Sequence, residues 1–466
     1  MANIKLIQDG GEMTLRQQIA LTAKLSAPAI IAQLSTILMQ YIDASMVGQL
    51  GASASASVGL MNSSLWMFWG VCQMLTMGFS VQVAHHLGAK DASGARAVLR
   101  QGLVCSAITG TLLAVIGIAI SGALPHWLGG DGDICHGASV YFSVFVAALP
   151  ILSMNYLAGG MLRCSGNMKV PGIISVAMCV LDIVFNYFLI FPTREVSLLG
   201  FKMTMPGADL GILGAALGTV AASVMAAGAM MWFLLRRQPD LMLRGEEARK
   251  SYRPTRRVLA KASRIALPMT AEHVIFCGAQ IMITLIVAPL GVVAIAANAF
   301  AVTAESLCYM PGFGIGEAAT TLCGQSYGAN RMSLARRFAH LTTLLGVLVM
   351  SVMAVVMYIC APAMMSIMTP VEEISALGAE VLRIEAWAEP MYAASIVAYG
   401  AFVGVGDTLI PAVMNFGSIW LVRIPCAAIM APTMGLQGVW LAMCIELLFR
   451  GIIFLCRMKW GKWLRS

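Results

Sequence analysis

PAIIAQLSTILMQYIDASMVGQLG, Pro28 to Gly51, is apolar over the length of a membrane-crossing helix and carries a single charge, Asp43. A carboxylate at the centre of a lipid-facing helix costs roughly 2.5–3.5 kcal/mol or more. Its presence therefore asks for an internal surface. Outward from this stretch the pattern continues. Across 466 residues, 59% are hydrophobic and 11% charged, with a mean hydropathy of +0.82. A soluble domain averages about 25% charged residues, so this chain has too little charge to cover a water-facing surface. The apolar runs are continuous and helix-length, whereas a transmembrane barrel alternates polar and apolar residues in segments of about ten. The fold class expected is an all-α membrane protein.

Twelve spans are predicted, at 17–48, 54–84, 97–121, 137–160, 167–191, 209–235, 258–289, 294–322, 334–359, 373–402, 408–431 and 435–457. The net charge of +8 does not point to nucleic acid, because the basic residues lie between the apolar runs. The termini and the loops after spans 2, 4, 6, 8 and 10, counted with the adjoining span ends, hold 26 of the 30 Lys and Arg residues. The exceptions are Arg194 and Lys202 in an opposite loop, and Arg383 and Arg423 within or near spans. The excess of positive charge places both termini in the cytoplasm, with the protein in the cytoplasmic (inner) membrane. The N-terminal MANIKLIQDGGEMTLRQQ has no apolar core of a cleavable signal and reads as a polar cytoplasmic tail. The segment Arg236 to Arg264 is the most basic and reads as a topology determinant, with anionic lipid as the competing reading. The 12 cysteines include no CxxC pair and mostly sit in apolar runs, as small buried hydrophobes.

The chain repeats itself at an offset of 240 residues: Pro28 with Pro268, Pro150 with Pro390, Pro171 with Pro411, and Leu50-Gly51 with Leu290-Gly291. Gly88-Ala89 likewise matches Gly328-Ala329, and Arg96 matches Arg336. Later the offset becomes 224, where GILGAAL (Gly211 to Leu217) matches GLQGVWL (Gly435 to Leu441), so the first half has about 16 extra residues around 192–208. The division expected is a six-helix lobe over 1–235, a basic cytoplasmic linker over 236–257 and a second six-helix lobe over 258–466. An even number of spans gives both lobes the same topology, related by an axis along the membrane normal with a cavity between them. Such a duplication suits a transporter that rocks about a central site, or a structural scaffold; the buried charges separate the two.

Asp43 and Asp182 fall in the outer half of the bilayer on spans 1 and 5, and Asn186 lies one turn from Asp182 on the same face. Glu272, Glu305, Glu385, Glu389 and Glu446 fall nearer the middle of the second lobe, with Glu385 and Glu389 four apart on one face. Repeat mates are apolar: Asp43 corresponds to Ile283, Asp182 to Val422, and Glu272, Glu305 and Glu389 to Ala32, Leu65 and Leu149. Charges needed by the repeated fold would recur in both halves, so these are additions to a common scaffold. Asp43 and Asp182 have no basic residue in their own spans and read as a pair that shares a proton or holds a cation. Arg423 and Glu446 read either as a structural ion pair or as site residues. Glu305 and Glu389 read as site residues or as partners of Arg383 or a lysine. His273 reads as a satisfied polar residue beside Glu272.

These residues resemble the multidrug and toxic compound extrusion family. Pro28 to Gly51 resembles its first span, VAHHLGAKD (Val83 to Asp91) and TLCGQSYGAN (Thr321 to Asn330) resemble the ends of its second span and of the repeat mate of that span, and MLRCSGNMKVP (Met161 to Pro171) resembles the element before its span 5. The resemblance covers essentially the whole chain. It implies secondary-active efflux of organic cations and amphiphilic drugs, driven by inward H⁺ or Na⁺, from a site between two lobes that rock. It implies a cation-coupling site at Asp43, Asp182, Asn186 and Thr219, with Na⁺ as a candidate ion at the two aspartates. It implies substrate or second-lobe coupling residues at Glu272, Glu305, Glu385, Glu389 and Tyr392. Two departures stand out: the family often has Asn where Met178 stands, and the Arg of the second-half element is Val403. The 34 methionines, with Trp66, Trp69, Tyr309 and Trp387, suit polyspecific cation binding, or simply core filling and interface anchoring.

Expected partners are small organic cations and membrane lipid, without nucleic acid, and the chain is expected to act as a monomer. No cofactor is expected beyond the coupling ion, and no enzyme activity. The alternative is a flippase for a lipid-linked saccharide or cell-wall precursor. It would need a large cationic cavity, whereas the buried charges here are mostly acidic. A channel lacks a filter motif here, and an ATP-driven pump lacks a GxxxxGK[ST] phosphate loop.

Overall fold

The computed structural model describes residues 2–130, 132–198 and 201–464, with the side chains of 2, 3, 52, 133, 194–198 and 201–205 outside the described set. The first half runs α1 (Ala2–Asp9), α2 (Leu15–Gly48), α3 (Ala52–Gly88), α4 (Ala92–Ile120), α5 (Leu124–Trp127), α6 (Gly132–Ala147), α7 (Leu149–Cys164), α8 (Lys169–Ile190), β1 (Pro192–Leu198), β2 (Phe201–Ala208) and α9 (Gly211–Arg236). After a short α10 (Glu246–Arg249), the second half runs α11 (Arg256–Val287), α12 (Val292–Gly328), α13 (Met332–Met368), α14 (Glu372–Ala386), α15 (Glu389–Val405), α16 (Leu409–Ser418), a π turn (Ile419–Arg423) and α17 (Ile424–Trp460).

Among the described residues, nine helices are long and apolar enough to cross a membrane, or ten with the bent pair α6/α7 counted as one span. One of the nine, Leu409–Trp460, runs for 52 residues. A straight helix of that length would span about 78 Å, more than twice the hydrocarbon core. It is broken at Gly435 (φ 63°, ψ −143°), and hydrogen bonds from Arg423 to Glu446 at 2.6 and 2.9 Å show the chain folding back on itself. It therefore crosses twice. With α14/α15, broken between Ala386 and Glu389, the crossings number twelve, in two lobes.

The repeat is written in the backbone. Left-handed residues recur at the 240 offset: Gly51 (φ 107°) with Gly291 (100°), Lys90 (59°) with Asn330 (56°), and Gly166 (85°) with Gly406 (83°). The break in span 4 recurs in span 10. Helices α6 and α7 meet at Ala148 with a 48° bend, α14 and α15 break at the mate of that residue, and Pro150 and Pro390 occupy the first turn of each following helix. Proline lacks the N–H that would continue the ladder, so the repeated proline gives a repeated break.

The lobes meet chiefly along three helix pairs, α2 with α12, α3 with α11 and α3 with α12. Close approach is set by glycine. A Cβ on Gly88 would lie 2.1 Å from the Gln325 carbonyl oxygen, and a Cβ on Gly328 would lie 2.1 Å from that of His85. These four residues are two pairs of repeat mates, so the contact is reciprocal about the internal axis. It lies at the end of the molecule that carries both termini.

Two segments depart from a plain loop. The extra residues of the first half form an antiparallel hairpin, with Val196 paired to Met203; the side chains of Arg194 and Lys202 fall outside the described set. The basic segment after α9 is docked rather than free. Leu241 and Leu243 are buried, Arg100 reaches the Glu247 carboxylate at 3.0 Å, and the Thr255 N–H donates to Gln101 Oε1 at 2.8 Å.

Candidate functional site

In the first lobe, packing of α2 against α8 brings together the two aspartates that lie far apart in sequence. One side chain joins them. The Asn186 amide nitrogen donates to Asp43 Oδ1 at 2.8 Å and to Asp182 Oδ2 at 3.1 Å. Asp182 and Asn186 are fully buried. Helix α9 closes the site from a third side, because Gly218 leaves room: a Cβ there would lie 2.0 Å from Asn186 Oδ1. Thr219, on the same helix, donates to the Ala215 carbonyl at 3.2 Å. Asp182 Oδ1 and Asn186 Oδ1 have no protein partner.

The electrostatics follow from this geometry. One amide nitrogen donates to two carboxyls, and Asp182 Oδ1 and Asn186 Oδ1 are left as unsatisfied acceptors. Burying uncompensated carboxylate costs several kcal/mol, so the pair calls for a positive partner. Orphan oxygens from a carboxylate and an amide are hard donors that suit a proton or an alkali cation. Among the described residues no group of three or more His, Cys, Asp or Glu is arranged to hold a metal ion. A Na⁺ here would therefore draw on the amide and hydroxyl oxygens as well as the two carboxylates.

The second lobe divides its acids into three settings. Glu446 is the structural one. It accepts from Arg423 Nε and Nη2 at 2.9 and 2.6 Å, from Arg450 Nε at 2.7 Å, and from the Ser418 hydroxyl. The π turn at Ile419–Arg423 rotates Arg423 inward to make this network. Glu272 forms the second setting, accepting from the Tyr399 hydroxyl at 2.6 Å and from the Asn415 amide. The third comprises Glu305, Glu385 and Glu389. All three are buried, and both oxygens of Glu385 and of Glu389 lack partners. Tyr392 lines this group, edge-on to Tyr309 at 5.7 Å between ring centroids and under Arg450 at 6.0 Å.

Some sequence expectations change. Arg383 does not neutralise Glu305 or Glu389; its Nε donates to the Tyr358 carbonyl at 3.3 Å and its guanidinium lies over the Tyr358 ring. Glu385 and Glu389 do not share one continuous helical face, because the break between α14 and α15 separates them. Glu272 stands apart from the other candidate acids, with its own tyrosine and asparagine. His273 is a satisfied polar residue, 3.2 Å from the Trp66 carbonyl. Trp69 packs edge-on against Phe145 at 5.5 Å, in the first-lobe core.

A charge that the sequence reading passed over lies on the seam. Glu317 of α12 meets Arg163 of α7 at 3.5 Å and accepts from Gln33 of α2 at 3.3 Å. The Thr321 hydroxyl donates to the Arg163 carbonyl at 3.0 Å, and the Gln325 amide to that of Cys164 at 2.8 Å. The signal was available: the repeat mate of Glu317 is Met77 and that of Arg163 is Val403, so neither charge serves the repeated scaffold.

The MatE family model matches residues 28–188 and again 268–429. The two matches begin 240 residues apart, as the repeat does, and together they cover well over half of the chain. The chain belongs to the MatE family. A probable multidrug resistance protein NorM of Thermotoga maritima is 25% identical over 442 residues, covering 94% of this chain and 92% of that protein. A probable NorM of Pseudomonas aeruginosa is 28% identical over 426 residues, covering 90% and 84%. A solved MATE in complex with MaL6 superposes with a TM-score of 0.87 at 20% identity, covering 99% of both chains. A MOP superfamily transporter from Pyrococcus furiosus gives 0.88 at 20% identity, covering 100% of this chain and 99% of that one. MatE architecture thus accounts for the twelve crossings and the two lobes.

Proposed function

We propose that this protein exports organic cations and amphiphilic drugs in exchange for H⁺ or Na⁺, by alternating access between its two lobes. It would do so in the cytoplasmic membrane, with both termini inside. The observation that carries the reading is the Asp43–Asn186–Asp182 bridge: a half-buried and a fully buried carboxyl joined by one amide, with Asp182 Oδ1 and Asn186 Oδ1 orphaned and, among the described residues, no basic partner. Such a pair binds a cation from one side and must release it before the lobes rearrange. The unpartnered glutamates of the second lobe give an anionic wall for cationic substrate. The multidrug resistance names of the relatives agree with this substrate class.

The flippase reading has less support. The intramembrane arginines Arg423 and Arg450 are buried and share the Glu446 carboxylate, so neither is presented to an open cavity for a pyrophosphate headgroup. The test is transport by purified protein in liposomes, with pH and Na⁺ gradients imposed separately. Antiport of a fluorescent organic cation, abolished in Asp43→Asn protein that still binds the cation, is the expected result. Wild-type transport by Asp43→Asn would remove the ion-site assignment. Uptake of a saccharide lipid without cation transport would establish the flippase instead.

A further inference from the structure

Helix α1 takes no part in either site, yet it is docked across the seam between the lobes. On the first-lobe side, Asp9 pairs with Lys90 at 2.8 Å. Ile4 occupies the space beside Gly166, where a Cβ would lie 2.1 Å from its Cδ1. On the second-lobe side, Arg331 holds the end of the helix, donating from Nη1 to the Leu6 and Ile7 carbonyls at 2.9 and 3.3 Å and from Nη2 to that of Gly11 at 2.9 Å. Between these anchors Ile7 is fully buried, in one apolar cluster with Leu21 and Leu25 of α2 and with Leu322 and Phe338 of α12 and α13.

The repeat shows that Arg331 is placed for this contact. Its mate is Asp91. Each residue stands at the N-cap of the helix that follows, but only Asp91 acts as a cap, accepting from the Gly94 N–H at 2.8 Å. Arg331 makes no side-chain cap and turns instead to the C-terminal carbonyls of α1, where a cation is favoured by the orphan acceptors and the helix dipole. The second half has thus lost a local capping residue at this position and holds a long-range anchor there.

We propose that α1 is a strap across the seam, held by Arg331, that sets how readily the termini face of the transporter opens. Arg331 is a positioning residue: it touches neither ion nor drug and acts through α1. Beneath the strap lie the reciprocal Gly88–Gln325 and Gly328–His85 contacts and the Arg163–Glu317 bridge, all of which must separate for that face to open. The proposal rests on the alternating-access reading.

The experiment is hydrogen–deuterium exchange on the full-length protein in lipid nanodiscs, with two variants: deletion of residues 2–11, and Arg331→Asp. The second restores the acidic residue that Asp91 supplies in the first half, so it removes the anchor while giving α13 a cap. Both variants should raise exchange at 82–88 and 322–328 by about tenfold or more, with lower exchange at the opposite ends of α2 and α12. In transport assays, maximal rate should change while the half-saturating substrate concentration holds. Increased exchange confined to residues 2–11 in Arg331→Asp, unchanged exchange at 82–88 and 322–328 in the deletion, or a uniform rise over the whole chain in both variants, would overturn the strap. Exchange is read without substrate or gradient, so its failure is distinguishable from a failure of the antiport reading.

Discussion

Asn186 holds the first-lobe site together, since its one amide group touches both aspartates, and Gly218 is what lets it do so. A methyl group at 218 would fall 2.0 Å from Asn186 Oδ1, inside any tolerable contact. Gly218→Ala should therefore displace the amide and uncouple efflux from the ion gradient. The stability cost should be about 1–3 kcal/mol, as for other overpacked sites. Thermal unfolding and gradient-driven efflux on the same preparation would check this; unaltered coupling would show that the aspartates do not need their bridge. Glu446 and Glu389 make a contrasting pair. Glu446→Gln removes the one carboxylate that Arg423 and Arg450 share, and breaking a buried pair costs about 3–5 kcal/mol. Its melting temperature should fall sharply. Glu389 has no partner to strand, so Glu389→Gln should fold normally and lose efflux of cationic drugs more than of neutral ones. Equal loss of both would assign Glu389 to coupling or gating rather than to recognition. The aspartate pair was visible in the sequence, because neither aspartate recurs in the repeat. Glu317 went unread. It sits near the end of its span, where a carboxylate can be taken for a headgroup-level residue, and its partner Arg163 lies in the other half of the chain.

At the scale of elements, the strap has a pH dependence whose sign can be worked out. Lys90 beside Asp9, by hydrogen bond and then by charge, holds that carboxyl below its ordinary value of 3.8. A depressed acid contributes stability above its unfolded pKa and loses it as pH falls through the folded one. Exchange protection of α1 should thus stay constant from neutral down to about pH 5 and fall only in stronger acid. A transition near neutrality would assign the docking to another group. The breaks in spans 4 and 10 are half legible: the repeated prolines mark the repeat, but the apolar run of each span continues across its break. The physics lies at Ala148 and Ala388, one residue before each new helix begins. The hairpin β1–β2 was not legible at all. Strands of 7 and 8 residues are shorter than a membrane-crossing apolar run, and their pairing is a backbone property.

For the whole molecule, composition and the repeat made the twelve crossings and two lobes readable, because lipid requires every backbone group to be satisfied within helices. The lobe interface was not readable, since it is set by glycines whose close neighbours lie in the other half. Orientation follows from the basic residues: a reporter fused at residue 245 should read cytoplasmic, and one near 130 should read on the opposite side. Reversed readings would invert the proposed direction of transport. The Gly88 and Gly328 contacts carry one more consequence. Gly88 meets the carbonyl of Gln325 while Gly328 meets that of His85, and such an exchange of partners between equivalent positions is how two identical subunits join about a two-fold axis. The seam thus has the form of a homodimer interface preserved inside a single polypeptide, with the covalent link between halves dispensable for recognition. Residues 1–245 and 246–466, made in one cell as separate chains, should find each other in the membrane and co-purify.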